Sequence, residues 1–254
     1  MLSFIEKPLT DLELYHFHNI ITYYMLGILF VFILLGLFVK SKQHLIYLTY
    51  FLIGLSFIQE ILDYINRIFI NDLYIMSFSS DLPFQLCHFA YWSSVVCLII
   101  SISKKDYKIS NSLFNCTYIF GFAAFQSILT VALTGVYTFG DILALHLQHS
   151  LIILNIIWLI IVFGYRFSLR GILESMIVIN ILAMIIGIVN YILDANYMFL
   201  CIPPAVNNPL IIGEWPFYIL SFEILFLVFG FILLLPFKLF DYIKSKLILI
   251  RFIH

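Results

Sequence analysis

Charged residues are scarce in this 254-residue chain. Lysine, arginine, aspartate and glutamate make up 11% of the sequence, whereas soluble domains carry about 25%. Hydrophobic residues reach 63%, and the mean hydropathy is +1.09. This composition excludes an ordinary soluble domain and indicates a polytopic helical membrane protein. The net charge of −1 gives no indication of a nucleic-acid partner.

Motifs in which cysteines form disulfides or bind metals are also lacking. The four cysteines, Cys87, Cys97, Cys116 and Cys201, have unrelated spacings that form neither a disulfide framework nor a CxxC motif. We therefore predict no cofactor and no metal. The residues before the first apolar run contain more acidic than basic side chains, unlike the basic start of a signal peptide. That run is therefore predicted to stay as the first span.

Seven apolar runs are long enough to cross a bilayer, which takes about 20 helical residues. The predicted spans are residues 19–39, 45–70, 82–101, 113–133, 142–164, 171–193 and 215–237. No segment alternates over about 10 residues as transmembrane strands do. We predict an all-α fold with seven transmembrane helices in a single domain, residues 1–254. The connection 194–214 holds Pro203, Pro204 and Pro209 and is predicted to be an ordered cap or re-entrant turn.

Basic residues concentrate in the loops that follow spans one, three, five and seven. They are Lys40, Lys42, Lys104, Lys105, Lys108, Arg166, Arg170, Lys238, Lys244, Lys246 and Arg251. The other side has only Lys7 and Arg67, among several carboxylates. Because basic loops stay in the cytoplasm, we predict an outside N-terminus and an inside C-terminus. A composition rich in Ile, Phe and Lys favours a bacterial source, and hence a bacterial cytoplasmic membrane.

Polar side chains gather at the predicted outer ends of six spans. They are Gln59, Glu60, Asp63, Asn66 and Arg67 in span two; Gln85, Cys87 and His88 in span three; Gln126 and Thr130 in span four; His146 and His149 in span five; Asn190 and Asp194 at span six; and Trp215, Tyr218 and Glu223 in span seven. Such groups are costly in hydrocarbon. We interpret them as one outer-leaflet pocket in which Arg67 pairs with Asp63 or Glu60, and we expect the inner halves to be nearly free of ionisable groups.

Several of these residues also have a purely structural interpretation. Cys87 fits a small hydrophobic residue of an apolar helix, and Glu60 and Asp63 fit counterions of Arg67. Trp215 and Tyr218 are typical of an interfacial aromatic belt.

Acyl transfer is the first chemistry that the pocket suggests. A thiolate attacks esters well when a nearby histidine takes the thiol proton, and Cys87 has His149 or His146 at a similar predicted depth. A carboxylate from Glu60, Asp63 or Glu223 would orient the imidazole, and Gln85 or Gln126 would stabilise the oxyanion. The substrate would be a phospholipid or another acyl lipid of the membrane.

Three other functions remain open. A metal-dependent hydrolase would use His88, His146 and His149 with Asp63 or Glu60. A proton-coupled transporter would use Glu60, Asp63, Arg67 and Glu223 as a relay. A non-catalytic protein would bind a lipid or another small molecule in the same pocket. The sequence specifies no oligomeric state.

Four segments of the sequence resemble the YwaF-like bacterial seven-helix membrane proteins. LPFQLCHFA, from residue 82, is similar to the LPLHLCD-type start of that family's third helix. NYMFLCIPP and GEWPFYILSFEILFLVFGFILLLPF are similar to its NYMYL, KP and GPWPWYI pattern, and HLQHSLIIL corresponds to its fifth-helix histidine region. The resemblance covers residues 59–237. It departs from the family at Gln85 and His88, where many members have His and Asp, and at Cys201 and Ile202.

The resemblance implies a seven-helix fold and, through distant eukaryotic relatives, two activities. One relative is an ether-phospholipid acyltransferase with a proposed cysteine and histidine, and the others are androgen-induced fatty-acid-ester hydrolases that use threonine and histidine. By motif, Cys87 takes the nucleophile position and His149 the base position. The expectation is a lipid acyltransferase or acyl-ester hydrolase with Cys87 and His149 as the active pair and His146 in support.

Overall fold

The computed structural model describes residues 8–103, 107–129, 131, 135–204 and 211–253, with side chains except at 107–110 and 245–253. Seven long helices follow one another: α1 (Asp11–Phe38), α2 (Lys42–Ile65), α3 (Leu86–Ile102), α4 (Tyr107–Leu129), α5 (Phe139–Phe163), α6 (Leu169–Leu193) and α7 (Phe217–Ile253). A π-helical turn, Asn66–Ile70, extends α2, and a 3-10 turn, Tyr197–Phe199, follows α6. These residues contain no strand, which confirms the all-α prediction.

Each predicted span coincides with one helix. Six helices are long and apolar enough to cross a membrane, whereas α3 is shorter, with 17 residues. The chain is therefore a multi-pass helical protein, and the seventh crossing and the orientation remain predictions. The end of the predicted fourth span with Thr130, part of the 194–214 connection with Pro209, and the loop residues Lys104 and Lys105 lie outside the described residues.

Helix starts are fixed by short polar side chains. Thr10 and Glu13 form a capping box at the start of α1, and Thr138 and Asp141 form one at the start of α5. Such boxes satisfy backbone N–H groups that have no partner within the helix. The backbone N–H of Leu9 also donates to the carbonyl of Tyr137 at 2.8 Å. α1 and α5 therefore begin at the same end of the bundle, which we call the acidic end.

Helix α5 is the centre of the bundle and packs against α1, α2, α3 and α4. A Cβ on Gly121 of α4 would overlap the Cδ1 atom of Ile156 unless that side chain moved, so the glycine helps α4 to pack closely on α5. At the opposite end, Trp158 donates its indole N–H to Thr49 at 2.9 Å. Helices α6 and α7 lie outside this core, and most of their large apolar side chains are exposed, as expected for helices that face lipid.

Candidate functional site

Arg67 is held by two carboxylates at the acidic end. Its Nη2 and Nε atoms lie 2.6 and 3.0 Å from the two oxygens of Asp63, and Nη1 lies 3.2 Å from Asp81. The guanidinium also lies over the ring of Tyr74, 5.4 Å from its centroid. The predicted pair with Asp63 is confirmed, whereas Glu60 forms no ion pair with Arg67 among the described residues. Because both oxygens of Asp63 contact the same guanidinium, this ion pair is bidentate.

Asp81 and Tyr74 lie in the connection after α2. Burial raises the pKa of Asp81, but hydrogen bonds from Ser80, Tyr74 and the backbone N–H of Ser77, together with Arg67, outweigh it and lower the pKa below its usual value. Burial, followed by the hydrogen bond to Asp81, raises the pKa of Tyr74 to about 12. This connection is therefore anchored by an ionised carboxylate and a neutral phenol at neutral pH.

Asp141 is the second anchor of the acidic end. Its carboxylate accepts hydrogen bonds from the amides of Asn66 at 2.8 Å and Asn71 at 2.9 and 3.0 Å. It also accepts from the backbone N–H groups of Tyr137 and Thr138 at 2.9 and 3.0 Å. Both carboxylate oxygens are thus engaged by donors from α5 and from the end of α2, which fastens these two helices together.

Cys87 is the second residue of α3, at its acidic end. The sulfur lies 3.9 Å from Nδ1 of His88, and the side chain is half-buried against the main apolar cluster. His88 in turn is close enough to interact electrostatically with His149 and Arg67. In the described part of the chain, Cys87 forms no hydrogen bond with His146 or His149, and the imidazole that contacts its sulfur is His88.

His149 and His146, one turn apart on α5, have different neighbours. Each Nδ1 lies near the backbone carbonyl four residues earlier, 2.7 Å for His149 and 2.9 Å for His146. A carbonyl only accepts, so Nδ1 carries the proton and Nε2 is the acceptor in both neutral rings. Nε2 of His146 accepts from the hydroxyl of Thr22 at 3.2 Å, and its ring lies 4.8 Å from that of His18. His18, His146, His149 and His88 thus form a row that ends at Cys87.

Two buried side chains, Gln59 and Gln148, and the half-buried Glu60 have polar atoms without a partner among the described residues. Gln59 is only 3% exposed, and neither its Nε2 nor its Oε1 has a partner among the described residues. The same holds, within those limits, for Oε2 of Glu60 and Nε2 of Gln148. One turn further from the acidic end, Ser56 contacts Asn155 of α5 at 3.4 Å and Tyr91 of α3 at 2.6 Å. We call Gln59, Glu60, Gln148, Cys87, His88 and His149 the polar chamber.

Four predicted pocket residues build the connection between α6 and α7. Gln85 accepts from the backbone N–H of Met198 at 3.0 Å, and Asn190 bonds both backbone polar groups of Tyr197. Tyr218 donates to the carbonyl of Phe199, and Trp215 donates to that of Leu200. Their sequence spacing indicated a pocket, but in the structure each of them bonds backbone groups of this connection, and the side-chain oxygen of Gln85 is the acceptor for Met198.

Three further predicted residues have positions away from the polar chamber. Asp194 is exposed at the end of α6, in a left-handed conformation. Gln126 is exposed on α4. Glu223 of α7 accepts from Asn180 of α6 at 3.2 Å. None of these contacts brings the three side chains to Cys87, although the prediction grouped them with it.

The opposite end is less apolar than expected. Glu174 near the start of α6 accepts from Ser112, Asn115 and Arg170 at 2.8 to 3.2 Å. This ionisable cluster corrects the expectation that the inner halves are nearly free of such groups, because Glu174 is stabilised there by hydrogen bonds and a cation at the helix end. Arg166 likewise pairs with Asp241 at 2.7 Å.

Residues that the sequence prediction missed include His18, Thr22, Asn71, Tyr74, Asp81, Asp141 and Gln148. Gln148 stands between the two predicted histidines, and the Thr-Phe-Gly-Asp pattern at 138–141 is a capping signal. The contacts of His18 and Thr22 depend on the packing of α1 against α5. Local sequence patterns do not predict which helices pack together. No group of three His, Cys, Asp or Glu in the described ranges has the geometry to hold a metal ion.

Six long apolar helices and the shorter α3, with a polar centre at one end, define a multi-pass helical membrane protein. The profile of the TMEM164 family matches residues 13–234, and the chain belongs to this family. No curated protein and no solved structure gives a significant match to the chain. As a membrane protein it contacts membrane lipids.

Proposed function

We propose that this protein is a lipid acyltransferase or acyl-ester hydrolase with Cys87 as the nucleophile. The observation that carries the proposal is the contact between the Cys87 sulfur and His88 Nδ1, 3.9 Å apart. A thiol needs a nearby base to become a nucleophile. Cys87 is also the second residue of α3 and so lies at a helix N-terminus.

The reaction has two balanced steps. Cys87 gives its proton to an imidazole, the sulfur attacks the carbonyl carbon of a lipid ester, and the bond to the leaving alcohol breaks. The imidazolium returns the proton to the leaving oxygen, and a thioester remains on Cys87. A second alcohol, or water, then gives its proton to the imidazole and attacks the thioester, which restores the thiol and releases the new ester or the free acid.

His149 is proposed as the base, with His88 as the imidazole that contacts the sulfur. Because Nδ1 of His149 faces the carbonyl of Leu145, its Nε2 is the lone-pair atom, as a general base requires. His146 supports this arrangement from the next turn through its contact with Thr22. The Cys87 thiol therefore has an imidazole in contact, His88, and the proposal adds His149 as the second imidazole.

The chamber amides are proposed to bind the ester. Leaving a buried amide unpaired costs about 1–3 kcal/mol, so the amides of Gln59 and Gln148 favour a polar ligand between α2 and α5. Nε2 of either amide can donate to a carbonyl oxygen as negative charge develops on it. Glu60 and Asp63, one turn apart on α2, would set the charge of the chamber together with Arg67.

The membrane setting and the resemblance support a lipid substrate. The acidic end carries few basic residues, so the proposed site faces the outer leaflet of a bacterial cytoplasmic membrane. The likeness to YwaF-like proteins in the LPFQLCHFA and HLQHSLIIL motifs supports the roles proposed here for Cys87 and His149. The substitution of His and Asp by Gln85 and His88 is consistent with a base other than the family's usual carboxylate neighbour.

The test uses purified protein in lipid nanodiscs with a labelled lysophospholipid and a phospholipid acyl donor. We expect transfer or hydrolysis that falls at least a hundredfold in Cys87→Ala and in His149→Ala. Cys97→Ala is the matched control, because Cys97 is a buried cysteine on the same helix that contacts Thr117 instead of a histidine. Full activity in Cys87→Ala would refute the proposal.

The same preparation separates the alternatives. A lipid- or small-molecule-binding protein would retain co-purified lipid without turnover. A proton-coupled transporter would give a flux into liposomes that responds to a proton gradient and to Asp63→Asn. Either outcome would replace the enzymatic proposal.

A further inference from the structure

A second site lies on the other side of α5 from Cys87. It is a groove between α1 and α5, closed by one residue each from α2 and α4. Thr22, Met25 and Leu29 line it from α1, and Leu147, Ser150 and Leu154 line it from α5. Met25 and Leu29 are only half-buried. The groove is therefore open toward the surface that α1 presents to the membrane.

Polarity changes along this groove. α1 and α5 both begin at the acidic end, so Thr22 and Leu147 lie nearest that end and Leu29 and Leu154 lie farthest from it. The hydroxyl of Thr22 bonds His146 at 3.2 Å. The hydroxyl of Ser150 is buried and has no partner among the described residues. Below Ser150 the lining is aliphatic. The groove thus has hydroxyls in its outer half and hydrocarbon in its inner half.

We propose that this groove binds one acyl chain of a membrane lipid, with the carboxyl end of the chain at Thr22 and Ser150. The acyl group of a lipid shows the same order of polarity, a polar ester followed by methylenes. The buried hydroxyl of Ser150, which has no partner among the described residues, favours a ligand oxygen that can accept its hydrogen bond. From Thr22 to Leu29 the helix rises about 10 Å, so the groove takes the first part of a chain and leaves the rest in the bilayer. A globular partner fits neither the narrow cleft nor its depth within the apolar helices.

One hydrogen bond links the groove to the histidines of α5. His146 contacts Thr22 at the mouth of the groove, and His149 on the next turn interacts electrostatically with both His146 and His88. An ester held at the mouth is therefore beside the histidine row. The proposed function is needed only to say that the bound acyl chain belongs to the substrate. Binding of an acyl chain in the groove does not depend on it.

Photolabelling tests the groove without requiring turnover. The probes are two phosphatidylcholines with a diazirine on one chain, near the carboxyl end in one and at the middle of the chain in the other, in nanodiscs of saturated phosphatidylcholine. We expect the first to label peptides around Thr22 and His146 and the second to label those around Leu29 and Leu154. The reverse order, or labelling of α1 and α5 no stronger than that of α6 and α7, would overturn the inference.

Two variants make the test specific. Ser150→Phe fills the groove, so we expect at least a fivefold loss of label in α1 and α5, with no loss in α6. Ile185→Phe, at an exposed position of α6, is the matched control and keeps the groove label. If Ser150→Phe does not fold, Leu29→Phe fills the groove from α1.

Unchanged labelling of the groove in a variant that folds and has its groove filled would contradict the inference. Label in the groove without ester turnover would support it while the proposed function fails.

Discussion

The acidic end and the polar chamber both contain carboxylates and amides, but these groups have protein hydrogen-bond partners at the acidic end and lack some of them in the chamber. At the acidic end, Asp141 accepts hydrogen bonds at both oxygens, and Arg67 is engaged by two carboxylates. In the chamber, the amide of Gln59 has no protein partner within the described residues. Polar groups that are saturated by protein hold helices together, and polar groups left open are available to a ligand. Substitutions should therefore affect stability in the first region and function in the second.

Asp141→Asn should have the largest effect on stability. The amide that replaces one carboxylate oxygen would place an N–H donor against the donors of Asn66, Asn71 or Thr138. We expect a loss of about 3 kcal/mol, because buried donors are left unpaired. Thermal unfolding in detergent measures it. Asp194→Asn, at an exposed carboxylate of the same end, should leave the midpoint unchanged, and equal midpoints for the two variants would contradict the role of Asp141 as an anchor.

Tyr197→Phe should have the next largest effect. Its hydroxyl donates to the carbonyl of Phe78 and accepts from the N–H of Leu82, so the change removes two bonds between connections. We expect a loss of about 1–2 kcal/mol. Faster proteolysis of the 194–217 connection would report the same loss. Tyr191→Phe, at a tyrosine that is 90% exposed, is the control; the interpretation is wrong if both variants are cleaved at the same rate.

Gln59→Met and Gln85→Met compare an open amide directly with a saturated one. Gln85→Met removes the bond to Met198 and should cost about 1 kcal/mol. Gln59→Met removes amide atoms that have no protein partner, so we expect unchanged or slightly higher stability. Ester turnover should fall at least tenfold in Gln59→Met alone. Destabilisation by Gln59→Met as large as that by Gln85→Met would show that the chamber is structural.

Acid should produce the smallest effect, through Asp81. Because its pKa is lower in the folded protein than the unfolded value of about 3.9, its stabilisation is complete above that value and is lost as the pH falls through the folded pKa. Unfolding midpoints measured between about pH 6 and 3 should fall less steeply in Asp81→Asn than in the parent. Parallel pH profiles would exclude a folded-state shift at Asp81.

The sequence predicted the helices better than their contacts. Long apolar runs with short polar ends predict each of the seven helices, because burial and backbone hydrogen bonding in hydrocarbon leave few other conformations. The pair of Arg67 and Asp63 was predictable too, since residues four apart share a helix face.

The composition of the site depended on packing between helices. Asn190 and Tyr218 look like pocket residues in sequence, yet they bind backbone groups of a connection whose path no local pattern specifies. Thr22 lies in an apolar helix and acquires its partner, His146, only when α1 packs on α5. Hydrophobic periodicity indicates which face of a helix is buried, but it does not indicate which neighbour covers it.

The most direct test of the central claim is the mass of Cys87 after exposure to a lipid ester. The protein in nanodiscs is incubated with an acyl donor, quenched in acid, and mapped by peptide mass. We predict an acyl thioester on Cys87 that hydroxylamine removes and that accumulates when the acceptor alcohol is withheld. Turnover without any acyl group on Cys87, and undiminished in Cys87→Ala, would contradict the account.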